Sequence, residues 1–375
     1  PPIPGPWSAG IGCFSVVRGM KLLHKERGMK RSGRIFAVAF LAVCLISTVA
    51  VFAAEEQEPI RLGVFIPGRL GDSPPYDDLA EGAEKFALRN DGLELVRIFE
   101  AGFDQSQWPE MLLTFAASGA YDVIYTSNEA MGPLVVDVMQ QVPDVKFIVN
   151  DAYVIGYDGL FTTFFNNTQQ AFLFGYMMAL ISTSDMENVN PDKKVGLVFG
   201  QHYVMMDEMI IPGMEAGAQY ADPDFELVTA MLGNWYDAAK AEQLANSMAD
   251  QGVDVYGSIC GSGNAGVLSS AVNNGLYVLW YDDDGFDKAP GTVVASFIKD
   301  NEAATIRNLE RLVEGTLPWG EAEVLGAEQG YIYMPLRDAA YVSSVPRDVR
   351  DQFKLLYDQV VSGEMEIVVP QEVLD

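Results

Sequence analysis

Asp282 and Lys299 are the two side chains of this 375-residue sequence whose types and spacing best suit ligand chemistry. Each stands at the end of a short apolar run that reads as a buried strand, 276–281 for the aspartate and Val293–Ile298 for the lysine. A carboxylate and an ammonium so placed can bracket a vicinal diol, each hydroxyl donating to one and accepting from the other. Plainer readings stand beside this one: a solvated turn for Asp282 and a surface lysine for Lys299. The acidic run Asp282-Asp283-Asp284-Gly285-Phe286-Asp287 also invites a calcium-loop reading, but it lacks the alternating ligands and closing glutamate of an EF-hand.

A second pattern is Gly261-Ser262-Gly263-Asn264-Ala265-Gly266, a GxGxxG that follows a strand and opens a helix about 20 residues before Asp282, as in a dinucleotide fingerprint. Its place after the third strand of a unit, not the first, argues against that reading. The alternative is that glycines here let backbone N–H groups at a helix start approach a polar ligand closely.

Composition removes several chemistries. From Met29 the chain has a basic segment (Lys30, Arg31, Arg34), an apolar stretch over Ile35–Val51 and a small-residue cleavage site after Ala53, the pattern of a secretory signal. Residues 1–28 read as an upstream extension, and Leu41-Ala42-Val43-Cys44 offers a lipobox-like alternative with lipidation at Cys44. Residues 1–53 hold 7 of the 24 Lys and Arg and 1 of the 52 Asp and Glu. The remainder therefore carries 17 − 51 = −34, a field that repels nucleic acid and anionic lipid. Only Cys260 and His202 lie beyond residue 53. An internal disulfide, a His/Cys metal cluster and most nucleophile–histidine pairs are thus excluded there, and no cofactor is expected.

The elements that must position the candidate residues are repeated. Arg61-Leu-Gly-Val-Phe-Ile is echoed by Lys194-Val-Gly-Leu-Val-Phe, Glu94-Leu-Val by Glu226-Leu-Val, Tyr121-Asp-Val by Val253-Asp-Val, and Val145-Lys-Phe-Ile-Val by Leu276-Tyr-Val-Leu-Trp. The offsets are 133, 132, 132 and 131. Strands alternating with helices at this spacing mean parallel sheets with right-handed crossovers, and ligands then sit at the carboxyl ends of the strands. Those ends carry Ser73, Tyr76, Phe103 and Asn128 in the first copy, and Trp235, Ser262, Gly263, Asn264 and Asp282 in the second. Phe103 and Trp235 occupy equivalent positions (235 − 103 = 132) and could sandwich a flat ring between facing lobes.

Taken in order, several of these segments resemble the basic membrane protein family of bacterial substrate-binding lipoproteins, which includes a purine-nucleoside receptor of spirochaetes. They are Tyr121-Asp-Val-Ile, Pro143-Asp-Val-Lys-Phe, Phe165 to Gln169, Phe172-Leu173 to Gly175, Gly213-Met-Glu-Ala-Gly217, Gly233-Asn-Trp235-Tyr-Asp237, Gln251-Gly-Val-Asp-Val, the Gly261–Gly266 loop and Trp280-Tyr-Asp282 with Lys299. The resemblance implies a type I periplasmic binding protein: an α/β molecule of two Rossmann-like lobes with parallel sheets and a three-segment hinge. It further implies a nucleoside or similar sugar-containing ligand in the cleft, Asp282 and Lys299 on the ribose, delivery to an ABC permease of the inner membrane, and no catalysis. The protein is then exported, periplasmic or anchored on the outer face of the cytoplasmic membrane, and a monomer is the expected state.

On this reading residues 54–165 plus 293–316 form lobe 1, and 166–292 plus 317–375 form lobe 2. The family's loop after the first strand is close to Asp-Asp-Lys-Ser-Phe-Asn, whereas this chain has Gly71-Asp72-Ser73-Pro74-Pro75-Tyr76, which alters the residues expected to read a base. A sensory receptor domain of the same fold is one alternative. An exported nucleoside hydrolase using Asp72, Asp282 and Asp284 on a cation is another.

Overall fold

A computed structural model describes residues 58–71 and 73–374. The secretory-signal, lipobox and upstream-extension expectations, and Asp72, lie outside the described residues.

The apolar runs become strands, and the inner ones, such as Ile60–Ile66, Val123–Ser127, Lys194–Phe199 and Val253–Ile259, are buried on consecutive positions, as parallel strands covered on both faces must be. The first sheet is built from β1 (Ile60–Ile66), β2 (Leu93–Glu100), β3 (Val123–Ser127), β4 (Lys146–Asn150), β5 (Leu160–Phe165) and β11 (Ala322–Leu325), in the order β11-β5-β4-β3-β1-β2 and parallel throughout. The second holds β6 (Lys194–Phe199), β7 (Glu226–Met231), β8 (Val253–Ile259), β9 (Tyr277–Asp282), β10 (Val293–Lys299) and β12 (Ile332–Tyr333), in the order β12-β10-β9-β8-β6-β7, with only β12 antiparallel. The internal repeat is thus two sheets of matching strand order.

Helices α1 (Pro74–Ala87), α2 (Trp108–Ala116) and α3 (Met131–Met139) cover the first sheet, while α4 (Asn167–Ser182), α5 (Ile211–Ala221), α6 (Ala238–Ala249) and α7 (Asn264–Asn274) serve the second. Then come α8 (Asn301–Val313), α9 (Ala339–Ser344), α10 (Arg347–Val361) and α11 (Gln371–Leu374). Asp residues start several of them: Asp237 accepts from the Lys240 amide and Asp300 from the Ala303 amide, satisfying a donor that a helix start leaves free.

Helix α4 is apolar all round and almost wholly buried, the pattern of a core helix. Its seat against α5 depends on glycine. A Cβ at Gly217 would lie 1.9 Å from the Phe172 carbonyl oxygen, and one at Gly175 1.9 Å from that of Met214. Backbone meets backbone there, so no side chain can yield.

The chain crosses between the sheets three times: after β5 at Asn166, after β10 at Asp300, and between β11 and β12. The crossings are tied together, Asn166 N donating to Leu325 O and Asp300 N to Tyr331 O, each at 2.8 Å. The boundaries differ from those expected. Strand Val293–Lys299 belongs to the second sheet, between β9 and β12, not to lobe 1. The second segment of lobe 1 begins with α8 and ends with β11, past residue 316. The stretch Thr162–Phe165, just before the first crossing, is most of β5. A buried network holds α8 to the first sheet: Asn308 Nδ2 donates to Tyr125 Oη (2.8 Å) and Thr163 Oγ1 (2.9 Å), and Asn150 Nδ2 to Thr305 Oγ1 (3.3 Å).

Candidate functional site

β9 and β10 run side by side with Ile298 opposite Asp282, so the aspartate and Lys299 leave the second sheet together at its carboxyl edge. Asp282 has φ 75, a left-handed conformation that aspartate tolerates better than most residues. The same break occurs after β4, where Asp151 has φ 58. The two aspartates are repeat equivalents, 282 − 151 = 131, the offset of the strands that carry them. Both meet one lysine. Lys299 Nζ lies 3.2 Å from Asp151 Oδ1 and 3.5 Å from Asp282 Oδ1, and 5.7 Å from the centre of the Phe165 ring. The lysine and Asp151 side chains are only 6% and 7% exposed.

Burial by itself would discharge the Lys299 ammonium, but Asp151 and Asp282 outweigh it and hold the amine firmly protonated. Asp282 is pushed the other way. Burial raises its carboxyl, Lys299 only partly offsets that, and Asp151 raises it further. Two carboxylates share one cation.

Aromatic residues from both lobes stand on this side of the sheets. Tyr76 lies against Gly68, where a Cβ would come within 2.6 Å of the ring, and Trp235 lies against Gly200 in the same way, also at 2.6 Å. These glycines are again repeat equivalents (200 − 68 = 132), so each lobe seats a ring on bare backbone after its first strand. Tyr203 approaches Trp235 at 6.1 Å between ring centroids. Its phenol is pushed well up by burial and then by the carboxylates of Asp282, Glu129 and Asp151, which places it inside the acidic cleft. Tyr76 Oη accepts from Asn128 Nδ2 at 2.9 Å, and burial raises that phenol to about 12. Among the described residues, Tyr281 Oη is buried with no hydrogen-bond partner, while Asp282 Oδ1 is met by Lys299 at 3.5 Å. Such an orphan is costly unless something else meets it.

Not every expected residue joins this cluster. Phe103 is 42% exposed and its ring lies under the Arg69 guanidinium, 5.6 Å away; among the described residues it makes no ring contact with Trp235. Ser73 stands at the start of α1, its carbonyl accepting from the Tyr76 amide and its hydroxyl making no cap bond. The GxGxxG loop turns on itself. Gly263 N donates to Cys260 O and Trp235 O, Asn264 Oδ1 accepts from Cys260 N at 2.9 Å, and Ser262 Oγ reaches Trp235 O at 3.5 Å. A Cβ on Gly266 would lie 1.9 Å from Ala238 O, so that glycine serves the α6–α7 contact. The Gly263 amide, expected to face a ligand, is spent on the protein, and the loop braces Trp235 instead.

Residues not singled out from sequence include Asp151, Tyr203, Tyr281 and Glu129. The Asp151 signal was present as the 131-residue offset. At the rim, Asp78 on α1 of lobe 1 is raised to about 8 by burial and by Asp283, Asp300, Glu302 and Asp282. Burial raises Asp283 to about 6 against the opposing pull of Lys288 and Trp280. Asp284 accepts from Phe286 N and Ser296 Oγ, and among the described residues no group of three His, Cys, Asp or Glu is set to hold an ion. A cavity of about 510 Å³ opens elsewhere, at β2 and α2, lined by Arg97, Phe99, Met111, Phe115 and Tyr121 among others.

With this geometry in hand the comparisons are informative. The sequence model of the Bmp family, described as ABC transporter substrate-binding protein PnrA-like, matches residues 60–366. The chain belongs to the Bmp family. Among curated Bmp relatives, Basic membrane protein A of Borreliella afzelii is 25% identical over 209 residues, covering 55% of this chain and 60% of that protein. The chain thus spans less than two thirds of that relative's length. The CD4+ T-cell-stimulating antigen of Listeria monocytogenes is 22% identical over 313 residues, covering 76% of this chain and 82% of that one. A solved solute-binding protein of an ABC transporter system from Aeropyrum pernix K1 aligns with TM-score 0.72 at 22% identity, covering 84% of this chain and 94% of that one. The architecture of this Bmp member is accordingly that of a periplasmic binding protein with two Rossmann-like lobes.

Proposed function

We propose that this protein is the extracytoplasmic substrate-binding component of an ABC uptake system and takes a nucleoside, or a similar sugar-containing small molecule, between its lobes. The observation that carries the reading is Lys299 held between Asp151 of one lobe and Asp282 of the other. Family membership supports the transport role.

Asp282 accepts a hydrogen bond from one hydroxyl of a diol, and Lys299 donates one to its neighbour. The orphan Tyr281 Oη offers a further partner on the same edge. Tyr76 and Trp235, each seated on a glycine, present ring faces to a planar base. Asn128 is engaged with Tyr76 and with the Ala130 amide, so base selection differs from that of relatives bearing asparagine at position 76.

Charge narrows the ligand. Asp151 and Asp282 already share the one ammonium, and Glu129 adds a further carboxylate beside Tyr203, so an uncharged nucleoside is favoured over its phosphate esters. Ligand contacts from both lobes stabilise the shut form, and release returns the molecule unchanged to a permease. Attachment by lipid at Cys44, or release after cleavage at Ala53, completes the reading, and a monomer suits it. Native mass spectrometry of protein purified from its host tests it. The expected result is a co-purifying nucleoside-sized mass that Asp282→Ala loses. A co-purifying phosphorylated or sugar-free molecule overturns it.

A further inference from the structure

Glu129 follows β3 in lobe 1, yet its carboxylate reaches lobe 2. Met205 N donates to Glu129 Oε2 at 3.3 Å, and the Val204 amide lies against the same carboxylate. These two residues begin the helical run 204–221. The first amides of any helix lack an internal partner, and this end of the helix attracts negative charge. Among the described residues, the N-cap Met205 gives the Met206–Ile210 stretch no side-chain cap bond. The missing cap comes from across the cleft.

Two further features favour this docking. The stretch Met206–Ile210 is a π-turn in which Ile211 N donates back to Met206 O, just ahead of Pro212. A proline ring clashes with the carbonyl four residues earlier and supplies no N–H, so the helix widens by one residue. Alongside, Met205 and Met209 pack with Phe164 of β5 and Val369 of the C-terminal tail, with Tyr153, Val324 and Tyr203 at the margin. That apolar cluster draws on both lobes beside the Glu129 contact.

We infer that Glu129 is a closure latch: an N-cap supplied by lobe 1 to the helical run 204–221 of lobe 2, holding the cleft shut independently of which ligand occupies it. It acts by positioning the lobes and does not require contact with the ligand. The Met205 amide needs an acceptor oxygen at this place, and a glutamine side chain supplies one with the same reach. Glutamine should therefore replace it and alanine should not.

The test needs no ligand. Spin labels go on Leu88→Cys and Val272→Cys, 87% and 52% exposed on opposite lobes, in a full-length chain carrying Cys13→Ser and Cys44→Ser. Cys260 is buried and its thiol pushed up to about 12, so it stays unlabelled. Pulsed electron–electron distance distributions should show a short-distance population with Glu129 intact. That population should be kept by Glu129→Gln and reduced several-fold by Glu129→Ala in favour of a longer distance. Three results would overturn the inference: no short-distance population with Glu129 intact, superimposable distributions for Glu129 and Glu129→Ala, or Glu129→Gln opening as far as Glu129→Ala.

Discussion

Asp151 and Asp282 stand 131 residues apart, adopt the same left-handed backbone at the ends of equivalent strands, and face one lysine from opposite lobes. A duplicated α/β unit has thereby produced a paired acceptor whose halves meet only when the lobes are together. Lys299 sits at the last residue of β10, where the chain makes its second crossing, so the charge joining the lobes is also at the hinge.

Removing the lysine should be costly. Lys299→Ala leaves two buried carboxylates without their cation, and breaking such a pair loses about 3–5 kcal/mol. Urea unfolding at neutral pH should show a loss of that order. A loss under about 1 kcal/mol would mean that the carboxylates find water or other partners.

Asp282→Ala should weaken ligand binding by at least about tenfold while leaving the melting temperature within a few degrees, the expected effect of losing a charge-assisted hydrogen bond. Unchanged affinity in calorimetry would take Asp282 out of the site.

Rim acidity should show as pH-dependent stability. Asp78 is raised to about 8 in the folded protein, against an ordinary aspartate value of about 3.9 in the unfolded chain. Across that window the folded state binds more protons at this position, so the Asp78 contribution is full below about pH 4 and is lost as pH rises through about 8. Asp78→Asn should therefore raise the melting temperature at pH 8 by a few degrees, about 1–2 kcal/mol, and flatten its fall between pH 6 and 8. A parallel profile for the variant would assign the pH dependence to other groups.

Gly217→Ala tests the close approach of α4 and α5. With a Cβ placed 1.9 Å from Phe172 O, the helices must separate, at about 3 kcal/mol or more. Calorimetric unfolding should show the drop; a neutral result would mean that the helices can slide apart freely.

Much of this architecture was legible because parallel strands buried on both faces leave largely apolar runs, and β1, β3, β6 and β8 are mostly such runs, with Asp254 breaking β8. β11 (Ala322–Leu325) was not legible. It is four residues long and only Leu325 is fully buried, so its sequence carries no strand pattern, and with it went the end of lobe 1. Asp282 and Lys299 stood out as charges ending apolar strands. Asp151 carried the same signature and could have been found by applying the offset to Asp282. Glu129 and Tyr203 could not, since their contacts arise from how two lobes meet and no local pattern encodes that. The glycines of 261–266 misdirected for a physical reason: backbone room for a helix contact and backbone room for a ligand look alike in sequence.

The most direct measurement is isothermal titration of the purified protein with adenosine, guanosine, inosine and uridine, each beside its 2′,3′-dideoxy analogue. At least one ribonucleoside should bind with micromolar or tighter affinity and its dideoxy partner at least about 100-fold more weakly, since the diol is what Asp282 and Lys299 hold. Equal affinity for the two members of every pair, or no heat with any of them, would contradict that expectation.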